Sequence, residues 1–95
     1  MTPPAAPSNT SASGTGGGAV QVTWRDRSNN EQGFEIERET RVGNSYTNPT
    51  IVGFVGANVT GFTDTPGSGR YRYRVRAVNS GGASAWSSWA NVTVR

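Results

Sequence analysis

The sequence predicts an all-β domain, built as a two-sheet antiparallel β-sandwich of seven short strands. Apolar and polar side chains alternate in several segments, which is the period of a half-buried strand. Val, Ile and Thr, which favour strands, make up 23 of the 95 residues. Turn-forming residues recur about every 8–12 positions, and no segment shows the apolar spacing of a helix.

The chain opens with a proline-rich stretch. Pro3, Pro4 and Pro7 favour the extended polyproline II conformation of semi-rigid spacers. We therefore expect residues 1–6 to form a linker and residues 7–95 to form the domain.

The first two strands are predicted on either side of a glycine-rich turn. Residues 9–13 form a candidate edge strand, and the turn follows because glycine tolerates positive φ. Residues 19–25 then alternate clearly, with Val20, Val22 and Trp24 on one face. We expect that face to point into the core.

A third strand is predicted over residues 33–40. Phe34 and Ile36 face inwards there, and the intervening glutamates face outwards. Residues 41–49 are rich in turn formers and are predicted to be a loop.

Two shorter strands are predicted next. Residues 50–56 are apolar, and Gly53 within them suggests a bulge. Residues 58–64 carry Phe62, which we expect in the core.

The most regular alternation lies in residues 70–79. One face carries aromatic and aliphatic side chains, among them Tyr71 and Val75, and the other face carries four arginines. A loop is predicted at 79–84, and residues 85–95 are predicted to be the last strand, with Val92 and Val94 facing inwards.

Composition limits the chemistry. The chain has no Cys and no His, so it lacks thiol chemistry, the commonest metal ligand and the usual general base. No apolar run is long enough to span a membrane. Asp26, Glu31 and Asp64 do not have the spacing of a calcium loop. We expect a monomer that is not an enzyme and that holds no cofactor and no metal.

Three segments together resemble a fibronectin type III domain. They are Trp24 at the end of its strand, the run Phe34–Arg38, and the run Tyr71–Asn79. The resemblance implies the immunoglobulin-like sandwich with fibronectin type III topology, of the type found in bacterial secreted proteins. It makes Trp24 the core tryptophan, and together with the alternation it gives six expected core side chains: Trp24, Phe34, Ile36, Phe62, Tyr71 and Val75. It also implies that the Tyr71 hydroxyl bonds to the backbone of the preceding turn.

The same resemblance makes the third and sixth strands neighbours. Outward glutamates, Glu35 and Glu37 among them, then lie beside Arg72, Arg74 and Arg76. One interpretation is a solvated sheet face with neutralised charge. The other is a basic patch for nucleic acid or an acidic glycan, which the sequence pI of about 10.2 favours. Because the net charge is only +3 and the acids are interleaved, we expect no nucleic-acid binding.

The run Trp86-Ser87-Ser88-Trp89-Ala90 resembles the Trp-Ser-x-Trp-Ser box of class I cytokine receptors, with Ala in the last position. That box interleaves its tryptophans with arginines of the neighbouring strand. We therefore predict that Trp86 and Trp89 stack with the three arginines. Such a ladder either stabilises the surface or presents Trp86 and Trp89 as a binding platform.

The leading functional hypothesis is a non-catalytic spacer module of a larger extracellular or cell-surface protein. It would orient neighbouring domains of the same polypeptide, carbohydrate-active ones included. The alternative is a module that binds a protein or a polysaccharide. It would use the loops at 26–32 and 79–84, or exposed Trp86 and Trp89.

Overall fold

A computed structural model describes residues 2–95 of the chain. Eight strands form two antiparallel sheets, and no helix occurs in these residues. The strands are β1 Ser8–Gly16, β2 Ala19–Arg25, β3 Gly33–Val42, β4 Ser45–Gly56, β5 Gly61–Asp64, β6 Gly69–Asn79, β7 Gly82–Ala83 and β8 Ala90–Val94. The predicted all-β sandwich is confirmed. A membrane-crossing helix is absent from residues 2–95.

The smaller sheet has the order β1-β2-β5, and the larger has the order β4-β3-β6. The free side of β6 pairs first with β7 and then with β8. The prediction of seven strands is wrong by one because the chain leaves the sheet between β7 and β8. The predicted last strand, 85–95, is likewise too long, since residues 85–89 lie outside any strand.

The prediction of a loop at 41–49 is also wrong. β3 continues to Val42, and β4 starts again at Ser45, so the connection is a two-residue turn with Gly43 at a φ of 62°. Glycine in the first central position suits such a hairpin turn. Pro49 lies within β4, where it is tolerated because β4 is an edge strand.

The core lies between the sheets. Of the six predicted core residues, five belong to the buried cluster, and Phe62 packs against it half-buried. The rings of Trp24 and Phe34 lie 5.5 Å apart. Four further side chains with no solvent exposure, Val20, Val22, Tyr73 and Ala77, complete the central layer.

Gly53 lies at an irregularity in β4, where the predicted bulge is found. Ile36 pairs with Gly53 and Glu37 pairs with Ile51, so Val52 is the extra residue. A Cβ on Gly53 would come within 2.4 Å of the Phe62 ring. The glycine therefore lets Phe62 of the smaller sheet pack directly on the backbone of the larger one.

The segment before β1 contacts the sandwich. Pro4 and Pro7 are buried, and the Thr2 carbonyl accepts hydrogen bonds from Asn30 Nδ2 at 3.0 Å and Asn79 Nδ2 at 2.9 Å. The proline-rich segment thus packs beside the loops that precede β3 and follow β6. The division of the chain at residue 7 stays a prediction.

Candidate functional site: the arginine–tryptophan ladder

Glutamates of β3 lie directly opposite arginines of β6. The cross-strand register pairs Glu35 with Arg76, Glu37 with Arg74 and Glu39 with Arg72. Each arginine Nε donates a hydrogen bond to its glutamate Oε1, at 2.7, 2.8 and 2.6 Å in that order. Because all six residues point away from the core, they form three parallel ion pairs on the outer face of the larger sheet.

Two tryptophans lie between these arginines. The Arg72 and Arg74 guanidinium carbons are 4.0 and 4.3 Å from the Trp89 ring centroid. Arg74 and Arg76 are 4.6 and 4.4 Å from the Trp86 centroid. The stacking order along the sheet is Arg72, Trp89, Arg74, Trp86, Arg76. We call these five side chains, with their three glutamates, the ladder.

The backbone path of residues 84–90 explains the spacing. Ser84 N donates to Ala77 O and Ser87 N donates to Val75 O, both at 2.8 Å. In return the Ser84 and Ser87 hydroxyls accept from Ala77 N at 2.9 Å and from Val75 N at 3.0 Å. Ala90 then pairs with Tyr73. Three residues of this segment therefore lie beside every two residues of β6.

This three-for-two register places the tryptophans. Arginines two residues apart on β6 point to one face, and tryptophans three residues apart fall between them. The hydroxyls replace backbone carbonyls as acceptors, so β6 keeps its hydrogen bonds although the neighbouring chain is no longer a strand. Ser84 and Ser87 were not singled out in the sequence, and their spacing of three beside Trp86 and Trp89 is the signal that could have found them.

Tyr46 extends the ladder at one end. The Arg72 guanidinium carbon, which also stacks on Trp89, lies 4.4 Å from the Tyr46 ring centroid. This contact was not predicted, because residues 41–49 were expected to form a loop. Continuing the alternation of β3 around a two-residue turn would have put Tyr46 on the outer face.

The arginines of the ladder cover the ring faces of Trp86 and Trp89. Each indole lies between two guanidinium groups, and each guanidinium donates to a carboxylate. The side chains of the three arginines are 28–32% exposed. The candidate binding residues Trp86 and Trp89 are therefore stacked on both faces, and only their ring edges face solvent.

A polar cluster built around Arg38 points inwards and joins the two sheets. Arg38 Nη1 of β3 and the Tyr73 hydroxyl of β6 each lie 2.7 Å from Asp64 Oδ2 of β5. Burial raises the pKa of Tyr73, and the Asp64 carboxylate raises it further. Burial opposes the charge on Arg38, but Asp64 outweighs it and raises the pKa of Arg38. We call these three residues the inner clamp; none of their contacts was foreseen.

The Tyr71 hydroxyl fulfils the contact that the family resemblance implies. It lies 3.1 Å from the Pro66 carbonyl and 3.0 Å from the Ser68 carbonyl of the turn before β6. Gly69, at a φ of 146°, leaves room for it, since a Cβ there would lie 2.9 Å from the hydroxyl.

The two loops of the alternative binding hypothesis lie at one end of the sandwich. The loop at 26–32 holds a buried Glu31, which accepts from Ser28 Oγ at 2.9 Å and from Asn58 N at 3.0 Å. The segment predicted as a loop at 79–84 is instead a two-residue turn, 80–81, followed by the short strand β7. Asn79, the last residue of β6, donates to Asn30 O at 3.1 Å. Their polar groups are thus largely bonded to each other and to the segment before β1.

The pKa values of the two acids in the first of these loops, Asp26 and Glu31, shift in opposite directions. Burial, and the proximity of Glu31, raise the pKa of Asp26. Burial acts the same way on Glu31, but hydrogen bonds from Asp26, Asn58 and Ser28 outweigh it and lower the pKa of Glu31. Across residues 2–95 no set of three His, Cys, Asp or Glu side chains is placed to hold a metal ion.

The fold matches many solved structures. A Fn3-like protein from Clostridium thermocellum matches with a TM-score of 0.74 at 26% identity, over 97% of this chain and 94% of that one. The FN5 domain of Drosophila Lar matches with a TM-score of 0.75 at 18% identity, over 96% of each chain. Domains A168–A170 of titin match with a TM-score of 0.78 at 21% identity, over 96% of this chain and 32% of that one.

No protein-family model and no curated protein matches the sequence. The structural matches nevertheless extend over nearly the whole chain, and they include two complete domains of similar length. Together with the sandwich topology and the Tyr71 contact, they confirm what was recognised from the sequence: the chain is a domain with the fibronectin type III fold.

Proposed function

We propose that the domain is a non-catalytic structural module that spaces and orients its neighbours in a longer extracellular polypeptide. The observation that carries the proposal is the closed ladder. Trp86 and Trp89 stack on arginines that are themselves bonded to glutamates of the same sheet, so these contacts are made within the domain and stiffen the sheet.

The comparisons support the modular part of the proposal. This chain spans 32% of the titin structure that contains domains A168–A170 and 17% of the structure of titin kinase and its flanking domains. In both, the matching fold is one unit of a longer chain. The extracellular part rests on the family resemblance, and the non-catalytic part on a sequence without His or Cys.

The dimensions suit a spacer. The principal extents are 41 × 24 × 18 Å, so the domain is an elongated rod. A flexible chain of the same length would have a root-mean-square span of roughly 50–60 Å with a broad distribution. A folded rod instead holds its ends at one separation.

The test is to place residues 1–95 between two fluorescent protein domains and to measure the distance distribution by time-resolved energy transfer. We expect a distribution much narrower than that of a Gly/Ser linker of equal length. A distribution as broad as the linker's would refute the spacer role.

A panel of polysaccharides tests the alternative in the same samples. The platform hypothesis has weaker support because both faces of Trp86 and Trp89 are covered. Micromolar affinity for a polysaccharide that Trp86→Ala abolishes, with the fold intact, would replace the spacer by a binding module.

A further inference from the structure

The charge pattern of the ladder breaks at one end. Three successive rows of the larger sheet pair a glutamate of β3 with an arginine of β6. The last recorded pair in that register is Thr40 with Tyr71. Continuing the register by one position sets Arg41 opposite Arg70, and both residues line the same surface cavity. Each lies two residues from a ladder residue of its own strand, so both side chains point to the outer face. The fourth row therefore sets two arginines side by side where an acid would be expected.

Like charges in directly opposite positions destabilise a sheet. None of the ion pairs in residues 2–95 includes Arg41 or Arg70. Arg41 Nε donates to the Gly43 carbonyl at 3.1 Å, and no other hydrogen bond of its guanidinium group is recorded in residues 2–95. The nearest acid on this face, Glu39, is held by Arg72. The two cations are therefore uncompensated.

The row continues on both sides with neutral groups. Tyr46 of β4 pairs with Arg41, and Thr93 of β8 pairs with Arg70. These four residues line a surface cavity of about 230 Å³ together with Asn91 and Val92. The Thr93 hydroxyl and the Asn91 amide are exposed and make no hydrogen bond within the domain that the structure records. The cavity therefore offers two guanidinium groups and two neutral donors.

We propose that this cavity, the arginine row, binds a tetrahedral dianion, a phosphate or sulfate group. Two guanidinium groups match its two negative charges, and each presents parallel N–H donors to oxygen pairs. Thr93 and Asn91 donate to the remaining oxygens. Binding removes the repulsion between Arg41 and Arg70, which is a gain that the ladder rows do not offer. This site is independent of the spacer role.

The test is a titration of the whole 95-residue chain with sodium sulfate and with sodium phosphate, followed by amide nitrogen–proton NMR spectra at ionic strength matched with sodium chloride. We expect saturable shifts at Arg41, Arg70, Asn91 and Thr93. Arg70→Gln and Arg41→Gln should each weaken binding at least tenfold. Both residues are on the surface, and the unperturbed remainder of each spectrum reports that the variant is folded.

Arg25→Gln is the matched control, because Arg25 is an exposed arginine of the smaller sheet that forms no ion pair. It should bind like the parent chain. Shifts that follow ionic strength alone, or equal weakening by Arg25→Gln, would overturn the proposal. Phosphorylated dextran, whose phosphate monoesters carry up to two negative charges each, is then compared with plain dextran to identify the source of the group. Retention of the phosphorylated polymer that Arg70→Gln abolishes indicates a group carried on a polymer, and binding of the inorganic ions alone indicates a free dianion.

Discussion

The ladder and the inner clamp stabilise this domain in different ways. The ladder is repetitive, lies on one outer face and keeps its arginine side chains about a third exposed. The inner clamp is a single set of three groups that ties β5 of the smaller sheet to β3 and β6 of the larger. Losing one rung leaves the other rungs in place, whereas losing Asp64 leaves two polar groups without an acceptor.

This difference teaches how charge is used in a thin sandwich. Each exposed contact contributes modestly because water competes for the charges, so the ladder gains from repetition. A partly buried carboxylate that accepts from two donors contributes more. Removing it leaves both donors partly buried and without an acceptor, which costs their desolvation free energy. The variants below separate the two behaviours, from the largest expected effect to the smallest.

Asp64→Ala should be the most damaging. It leaves the Arg38 charge and the Tyr73 hydroxyl without their acceptor, and we expect a loss of about 3 kcal/mol in the free energy of unfolding. Urea denaturation measures it. Asp64→Asn, which keeps an acceptor oxygen, should lose less. A loss no larger than that of a ladder variant would show that the clamp has no special weight.

Arg74→Ala should cost about 2 kcal/mol, because Arg74 stacks on both indoles and holds Glu37. Arg76→Ala should cost less, because Arg76 holds Glu35 in the same way but stacks on only one indole, that of Trp86. Urea denaturation of both variants gives the ratio. Equal losses would mean that stacking contributes little, and Thr23→Ala on the outer face of the smaller sheet is the control for a surface truncation.

Alkaline pH should weaken the clamp and leave the ladder intact. The pKa of Tyr73 is raised above its ordinary value of 10.0 in the folded protein, so above that pH the unfolded chain loses a proton that the folded one keeps. Stability should therefore fall as pH rises, by about 1.4 kcal/mol per pH unit for this group.

Urea denaturation at about pH 9 and about pH 11 measures this dependence. Tyr73→Phe should remove it, although that variant starts from a lower stability because the hydrogen bond to Asp64 is gone. The same slope in both proteins would place the titration elsewhere.

Arg70→Glu should give the smallest effect and the opposite sign. It continues the pattern of opposite charges into the fourth row, facing Arg41, and should stabilise the domain by about 0.5 kcal/mol. Thermal unfolding at low and high salt measures it, since the gain should shrink with added salt. A loss of stability would contradict the assigned facing of Arg41 and Arg70.

The strand faces followed from local regularities of the sequence, because alternation over β2, β3 and β6 predicts which side chains point inwards. The ladder followed from resemblance: the fibronectin type III likeness made the third and sixth strands neighbours, and the likeness of residues 86–90 to the cytokine-receptor box placed Trp86 and Trp89 beside the arginines. Features that interrupt the alternation of a strand were not predicted. The hairpin at Gly43 and the contact of Tyr46 were missed because turn formers in residues 41–49 outweighed a weak strand pattern.

The inner clamp was missed for a different reason. Its partners are 26 and 9 residues apart and come from three strands, so no local pattern joins them. Alternation does place Arg38 on the inward face of β3, and a charge there requires a partner. Which acid supplies it depends on how the two sheets meet, and that is a property of the packed structure.

The three-for-two register has a consequence for sequence change in this domain. Surface segments ordinarily accept added or deleted residues, but the chain from Ser84 to Ala90 cannot. One extra residue would move both serine hydroxyls off the β6 amides and slide the indoles out of the gaps between the guanidinium groups. We expect relatives of this domain to vary in composition along this segment while keeping its length constant.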